Sequence, residues 1–159
     1  MKKVMFLVMV AIMPFVACSS DDDNGGQDEI IGKWREVKSI GKEYVEGELV
    51  STEEVTATDE DYSEVEYKAD GTFTEFYSES YTSGGEKVVE ISTDGGTYEV
   101  SGDKIITVYS PDENGENGGS FETQFSISGD ILTTFSVDEG VDYEGKSYRE
   151  EYTTEFQKL

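Results

Sequence analysis

Histidine is absent from the 159-residue chain, and cysteine occurs once, at Cys18. Without histidine there is no Ser-His-Asp or Cys-His nucleophile and no imidazole ligand for zinc or haem. One cysteine excludes an internal disulfide. Basic residues are scarce, 12 Lys and Arg against 36 Asp and Glu, for a net charge of −24. A surface this acidic repels phosphate backbones, so nucleic acid is not expected as a partner. It suits a cation, a basic partner or plain solubility. No glycine-rich loop opens a helix, no internal repeat is present, and no cofactor is expected. All four methionines, Met1, Met5, Met9 and Met13, crowd into the first residues.

What is present begins with those first residues. Lys2 and Lys3 precede an apolar run from Val4 to Val16 that ends in Phe15-Val16-Ala17-Cys18. A basic start, an apolar middle and a small residue before a cut make a secretory signal, and about 13 apolar residues fall short of the ~20 a spanning helix needs. Phe15-Val16-Ala17-Cys18 resembles the lipobox of bacterial lipoproteins, with Phe15 where leucine is usual. The resemblance implies cleavage of signal peptide 1–17, lipid on the Cys18 sulfur and an acyl group on the new amino terminus. Lipidation removes the only thiol from catalysis. Residues 18–159 then form one domain-sized chain with ten basic and 36 acidic residues, net −26.

Residues 18–29 carry no apolar side chain after the cysteine, so a disordered acidic tether is expected, reaching roughly 40 Å when extended. Ser20-Asp21-Asp22-Asp23 resembles the acidic export signal of Bacteroidota-type lipoproteins. That implies the outer face of the outer membrane as the location, the periplasmic face being the alternative.

From residue 30 to 159 the pattern is strand after strand. Strands are expected near 31–38, 63–69, 72–81, 86–93, 96–101, 104–110, 119–128, 130–138 and 147–157. Phe121, Thr123, Phe125 and Ile127 alternate with polar residues, and Ile131, Thr133, Phe135 and Val137 continue the alternation after Gly129-Asp130. Turns are expected at Asp70-Gly71, Gly95-Gly96, Gly102-Asp103, Asn114-Gly115, Gly129-Asp130 and Glu144-Gly145. Over 43–61 a short helix capped by Ser51 and Glu54 and a lid-like loop both remain open. Eight or nine hairpin-linked strands predict an all-β, antiparallel up-and-down barrel, with a β-sandwich as the alternative and a monomer as the expected state. The Cys…Trp…Cys frame of antibody domains is missing.

Gly32-x-Trp34, Tyr67-Lys68-Ala69-Asp70-Gly71-Thr72-Phe73, Gly96-Thr97-Tyr98 through Asp103, and Ile127 through Leu132 together resemble the lipocalin-like domains of Bacteroidota lipoproteins. The resemblance spans about 31–157. It implies that Gly32 and Trp34 sit at the closed barrel base beneath a basic side chain of the last strand, for which Arg149 is the candidate. It also implies a small apolar or amphipathic ligand, with Phe73, Tyr98, Phe121, Phe125, Phe135 and Tyr152 as cavity candidates. An eight-stranded barrel is also just wide enough to be filled by such rings, and a mostly filled core with a shallow cup is expected. The alternative function is a filled-barrel interaction protein that meets host or cell-surface proteins.

Catalysis is not expected. Glu75 and Glu90 are the carboxylates with apolar neighbours that an acid/base pair would draw on. Asp112-x-Asn114-x-Glu116 fails as a calcium loop, because Asn117 and Thr123 stand where glycine and glutamate are required. Asp59-Glu60-Asp61 and Asp138-Glu139 are loose cation candidates, and no metal site is expected.

Overall fold

The computed structural model describes residues 25–111 and 118–159. A short helix α1 (Gly25–Ile30) leads into nine antiparallel strands: β1 (Gly32–Val45), β2 (Glu48–Thr56), β3 (Tyr62–Tyr67), β4 (Thr72–Ser83), β5 (Glu86–Ser101), β6 (Lys104–Tyr109), β7 (Ser120–Ser128), β8 (Ile131–Val141) and β9 (Ser147–Lys158). Neighbours follow chain order from β3 to β9, and β1 pairs with both β3 and β9. Eight strands therefore close into an up-and-down barrel, as the strand count implied, and β2 is an extra ninth. Closure leaves the barrel itself with no free edge at its base.

β2 arises because β1 is long. Its first residues, Gly32–Arg35, pair with β3, and Lys38–Val45 pair with β2 on the same side. The stretch left open between helix and loop is thus mostly strand. Its turn is Glu46-Gly47, both at positive φ (51° and 82°), the conformation of a two-residue hairpin turn. Loop 57–61 then steps from β2 to β3. Asp61 holds that step by accepting the Ser80 amide (2.6 Å) and hydroxyl (2.9 Å). These bonds, the Ser80 amide first, keep its exposed carboxyl below the ordinary aspartate range.

Gly95-Gly96 is not a turn. Both glycines lie inside β5, which runs unbroken through them. A methyl group on Gly95 would meet the Phe73 carbonyl oxygen at 2.8 Å, and one on Gly96 would overlap the Val108 carbonyl oxygen. Glycine here serves close backbone approach within the sheet. Residues 25–29, expected to belong to the tether, lie in α1; Cys18 and the Asp112–Glu116 motif lie outside the described residues.

Gly129-Asp130 is the tight turn expected, pairing Ser128 with Ile131 and hence Ile127 with Leu132. Directly paired residues share a face, so the inward Ile127 fixes Leu132, Thr134 and Ser136 as inward too. Ile131, Thr133 and Phe135 take the outer face, opposite to the expected continuation, and Val137 lies at the rim of the barrel opening. A two-residue turn preserves the face of paired partners, not the parity of the residue number.

The core sits at one end. Ile30, Trp34, Val65, Tyr67, Phe73, Tyr98, Ile105 and Leu132 are buried, with Val100, Phe125, Ile127 and Phe156 packed against them. α1 plugs this end, and the Ile30 carbonyl accepts the Trp34 indole N–H at 2.7 Å. Lys158, not Arg149, covers the tryptophan, with Nζ 4.9 Å from the ring centroid. Arg149 pairs with Tyr44 and Glu139 near the opposite end and binds Glu139 and Glu151. The last strand runs its C-terminus into the base, so only its final residues reach Trp34.

Candidate functional site

Above the packed base the barrel is hollow. A cavity of about 710 Å³ opens toward the end remote from α1. Its side opening follows from the strand lengths. β7 and β8 pair only from Gln124–Phe135 downward, leaving Phe121 and Thr123 unbonded to Ser136 and Asp138 across a slit.

The aromatic residues form a ladder from base to mouth. Tyr98 meets Tyr67 edge-on at 4.9 Å, Tyr67 lies 6.3 Å from Phe73, Phe73 meets Tyr109 at 5.0 Å, and Tyr109 meets Phe121 at 5.5 Å. The Tyr67–Phe73 pair is tilted, and the other three contacts are edge-to-face, each worth about 0.5–1.5 kcal/mol beyond area burial. Of the six rings expected at a cavity, Phe121 and Tyr152 line it, 58% and 44% exposed at its mouth. Phe73 and Tyr98 are buried beneath it, and Phe125 packs against the core. Phe135 faces outward, paired with Gln124 and Thr153. The expected set is thus divided among mouth, base and outer face.

The middle of the cavity is polar. β4 turns Phe73, Glu75 and Tyr77 inward, and β6 turns Ile105, Thr107 and Tyr109 inward, by the two-residue alternation of strands. The hydroxyls of Tyr77 and Tyr109 both donate to Glu75 Oε2, Tyr109 at 2.8 Å. Beside them, Ser63 donates to Glu36 Oε2 at 2.6 Å. Burial first, and then the neighbouring Glu75, push the phenols of Tyr67, Tyr77 and Tyr109 above their ordinary value. All three stay neutral and protonated across the physiological range.

Sequence reasoning singled out Glu75 but missed Glu36, Tyr77 and Tyr109. The signal for Tyr77 and Tyr109 was their even spacing from Phe73 and Ile105 on the same strand faces. For Glu36 it was hidden by a bulge. The register of β1 against β9 shifts between Glu36 and Lys38, so Trp34 and Glu36 face inward before it and Ser39, Gly41 and Glu43 after it.

Glu90 is no partner for Glu75. It pairs with Glu79, four residues along β4 and roughly 13 Å away, and accepts the Tyr81 hydroxyl at 2.7 Å. That exceeds the ~5–9.5 Å of a glycosidase carboxylate pair. The loose cation candidates are engaged elsewhere: Glu60 with Lys87, Asp61 with Ser80, Asp138 with Tyr148 and Glu139 with Arg149. Among the described residues no three metal-ligating side chains converge.

Fold and cavity together define the chain as a closed, up-and-down antiparallel β-barrel with a hollow upper half. No family model and no curated protein matches it. Among solved structures it is similar to a lipocalin-like protein from Bacteroides uniformis, at 18% identity and a TM-score of 0.45, over 82% of this chain and 99% of that one.

Proposed function

We propose that this chain is a lipid-anchored, surface-displayed lipocalin-like protein that binds a small amphipathic ligand in its barrel without transforming it. The observation that carries the reading is the cavity of about 710 Å³, closed below by the Trp34 base and open above between β7 and β8. Such a volume lies within the ~300–1,000 Å³ of small-molecule sites. Its walls mix rings with a few placed polar groups, the composition that fixes a ligand's orientation. Cys18 and the acidic residues after it supply the anchor and the outward address.

Native mass spectrometry of the full chain, extracted from membranes in detergent, tests the reading. A small molecule retained at one equivalent and released on unfolding is the expected result. A chain that is consistently empty and takes up no added amphiphile contradicts it.

A second reading has its own observation. β2 pairs on one side alone among the described residues, and its Leu49, Val50 and Val55 are exposed. That strand is where a cell-surface or host protein would meet this chain if contact, not cargo, is its task.

A further inference from the structure

The inner wall of the cavity carries carboxylates without cations. Glu36 and Glu75 line its middle and Asp138 its mouth; Glu64 and Glu122 also border it but are ion-paired with Lys33 and Lys104, and among the described residues no lysine or arginine lines it. The charge is also arranged against itself. Glu75 stands directly opposite Asp94 across β4 and β5, and Glu150 stands between Glu43 and Asp138 across β1, β9 and β8. Like charges directly opposite on neighbouring strands destabilise a sheet. The outer face shows the contrast: Glu64 has Lys33 at 2.5 Å, Glu122 has Lys104 at 2.6 Å, and Glu54 has Lys38 at 2.9 Å. These ion-paired lysines lie outside, Lys158 is taken up over Trp34 in the base, and the inward carboxylates have no ion pair among the described residues.

The polar atoms left over agree. Both tyrosine hydroxyls at Glu75 donate to Oε2, and Ser63 donates to Oε2 of Glu36. Oε1 of each carboxylate has no protein partner among the described residues, and carboxylates can only accept. Around them stand the faces and edges of Tyr77, Tyr109, Phe121 and Tyr152. Carboxylate acceptors among aromatic rings are the surroundings that attract a positively charged head group.

We infer that the occupant of this cavity is an amphipathic organic cation, whose ammonium-type head lies between Glu36 and Glu75 and whose apolar body runs along Tyr109 and Phe121 to the mouth. The inference rests on the ligand-binding reading above and narrows it to one charge class. The head group relieves the facing carboxylates, so binding and stability rise together. Neutral and anionic amphiphiles of the same length lack that gain, and an anion meets like charge.

The test is calorimetric titration of the full chain with decylammonium, 1-decanol and decanoate, which share one tail. Decylammonium is expected to bind at least about tenfold more tightly than the other two, the scale of a charge-assisted hydrogen bond, and more weakly as salt rises. Replacing both inner carboxylates (Glu36→Gln with Glu75→Gln) keeps the acceptor oxygens for Ser63 and the tyrosines and should cost decylammonium about tenfold. Glu99→Gln, which removes the same charge from the exposed outer face of β5, should leave its affinity unchanged. If all three probes bind equally, the cavity reading stands and the charge inference is overturned. Decylammonium bound equally by wild type and the double variant, or weakened as much by Glu99→Gln, also overturns it, since the cation then merely coats an acidic surface. If none of the probes binds, both readings fall.

Discussion

At the scale of single residues, Trp34 organises the base of the barrel and Glu75 the middle of its cavity. Trp34 is fully buried, hydrogen-bonded to Ile30 and roofed by Lys158. Trp34→Ala is expected to lower unfolding free energy by about 3–5 kcal/mol, read as a shift in urea midpoint. Lys158→Ala should cost about 0.5–2 kcal/mol, and Arg149→Ala should leave the base undisturbed. The tryptophan was legible in the sequence from Gly32-x-Trp34; its basic neighbour was not. The choice between Arg149 and Lys158 depends on where β9 ends, which no local pattern encodes. The three tyrosines around Glu75 set an alkaline limit. Their protons are held above the ordinary value of 10.0 when folded, so the folded state keeps protons that the unfolded chain releases. Stability is therefore full below about pH 10 and falls as pH rises past it. Denaturation midpoints measured from about pH 8 to about pH 11.5 should decline, and less steeply in Tyr77→Phe. An identical decline in that variant would show that the loss comes from elsewhere.

At the scale of elements, most strands were visible because half-buried antiparallel strands advertise themselves by alternation. β2 was not, because all nine of its residues are exposed and nothing forces apolar and polar side chains to alternate. The Gly95-Gly96 pair misled for the opposite reason. A glycine doublet reads as a turn, yet here it lets β5 pass close to the Phe73 and Val108 carbonyls. Gly96→Ala is thus expected to destabilise the barrel by about 1–3 kcal/mol through overpacking, whereas Gly47→Ala acts only through its positive φ at an open turn. Comparing the two midpoints separates crowding from backbone strain. The inner face of β8 was read one residue out of step, which displaced Phe135 from the cavity set. Only the pairing across Gly129-Asp130 resolves that, since Ile131 and Leu132 are equally apolar.

At the scale of the whole molecule, the charge imbalance was legible but its placement was not. Composition gives the excess of acid; only closure of the barrel decides which carboxylates face each other inside it. The anchor, by contrast, is an expectation that rests on the first 18 residues alone. Cys18→Ala should release the protein from membranes into the soluble fraction, because acylation supplies about 0.8 kcal/mol per buried methylene. A variant that sediments with membranes as before would remove the basis for the anchored reading. The division into a packed base and a hollow upper half also sorts the chromophores. The sole tryptophan lies sealed in the base, while Tyr77, Tyr109 and Tyr152 line the cavity. Indole emission therefore reports chiefly the packing of the base, whereas the cavity tyrosines meet whatever enters. One unlabelled sample thus carries a chromophore in the base and others at the cavity.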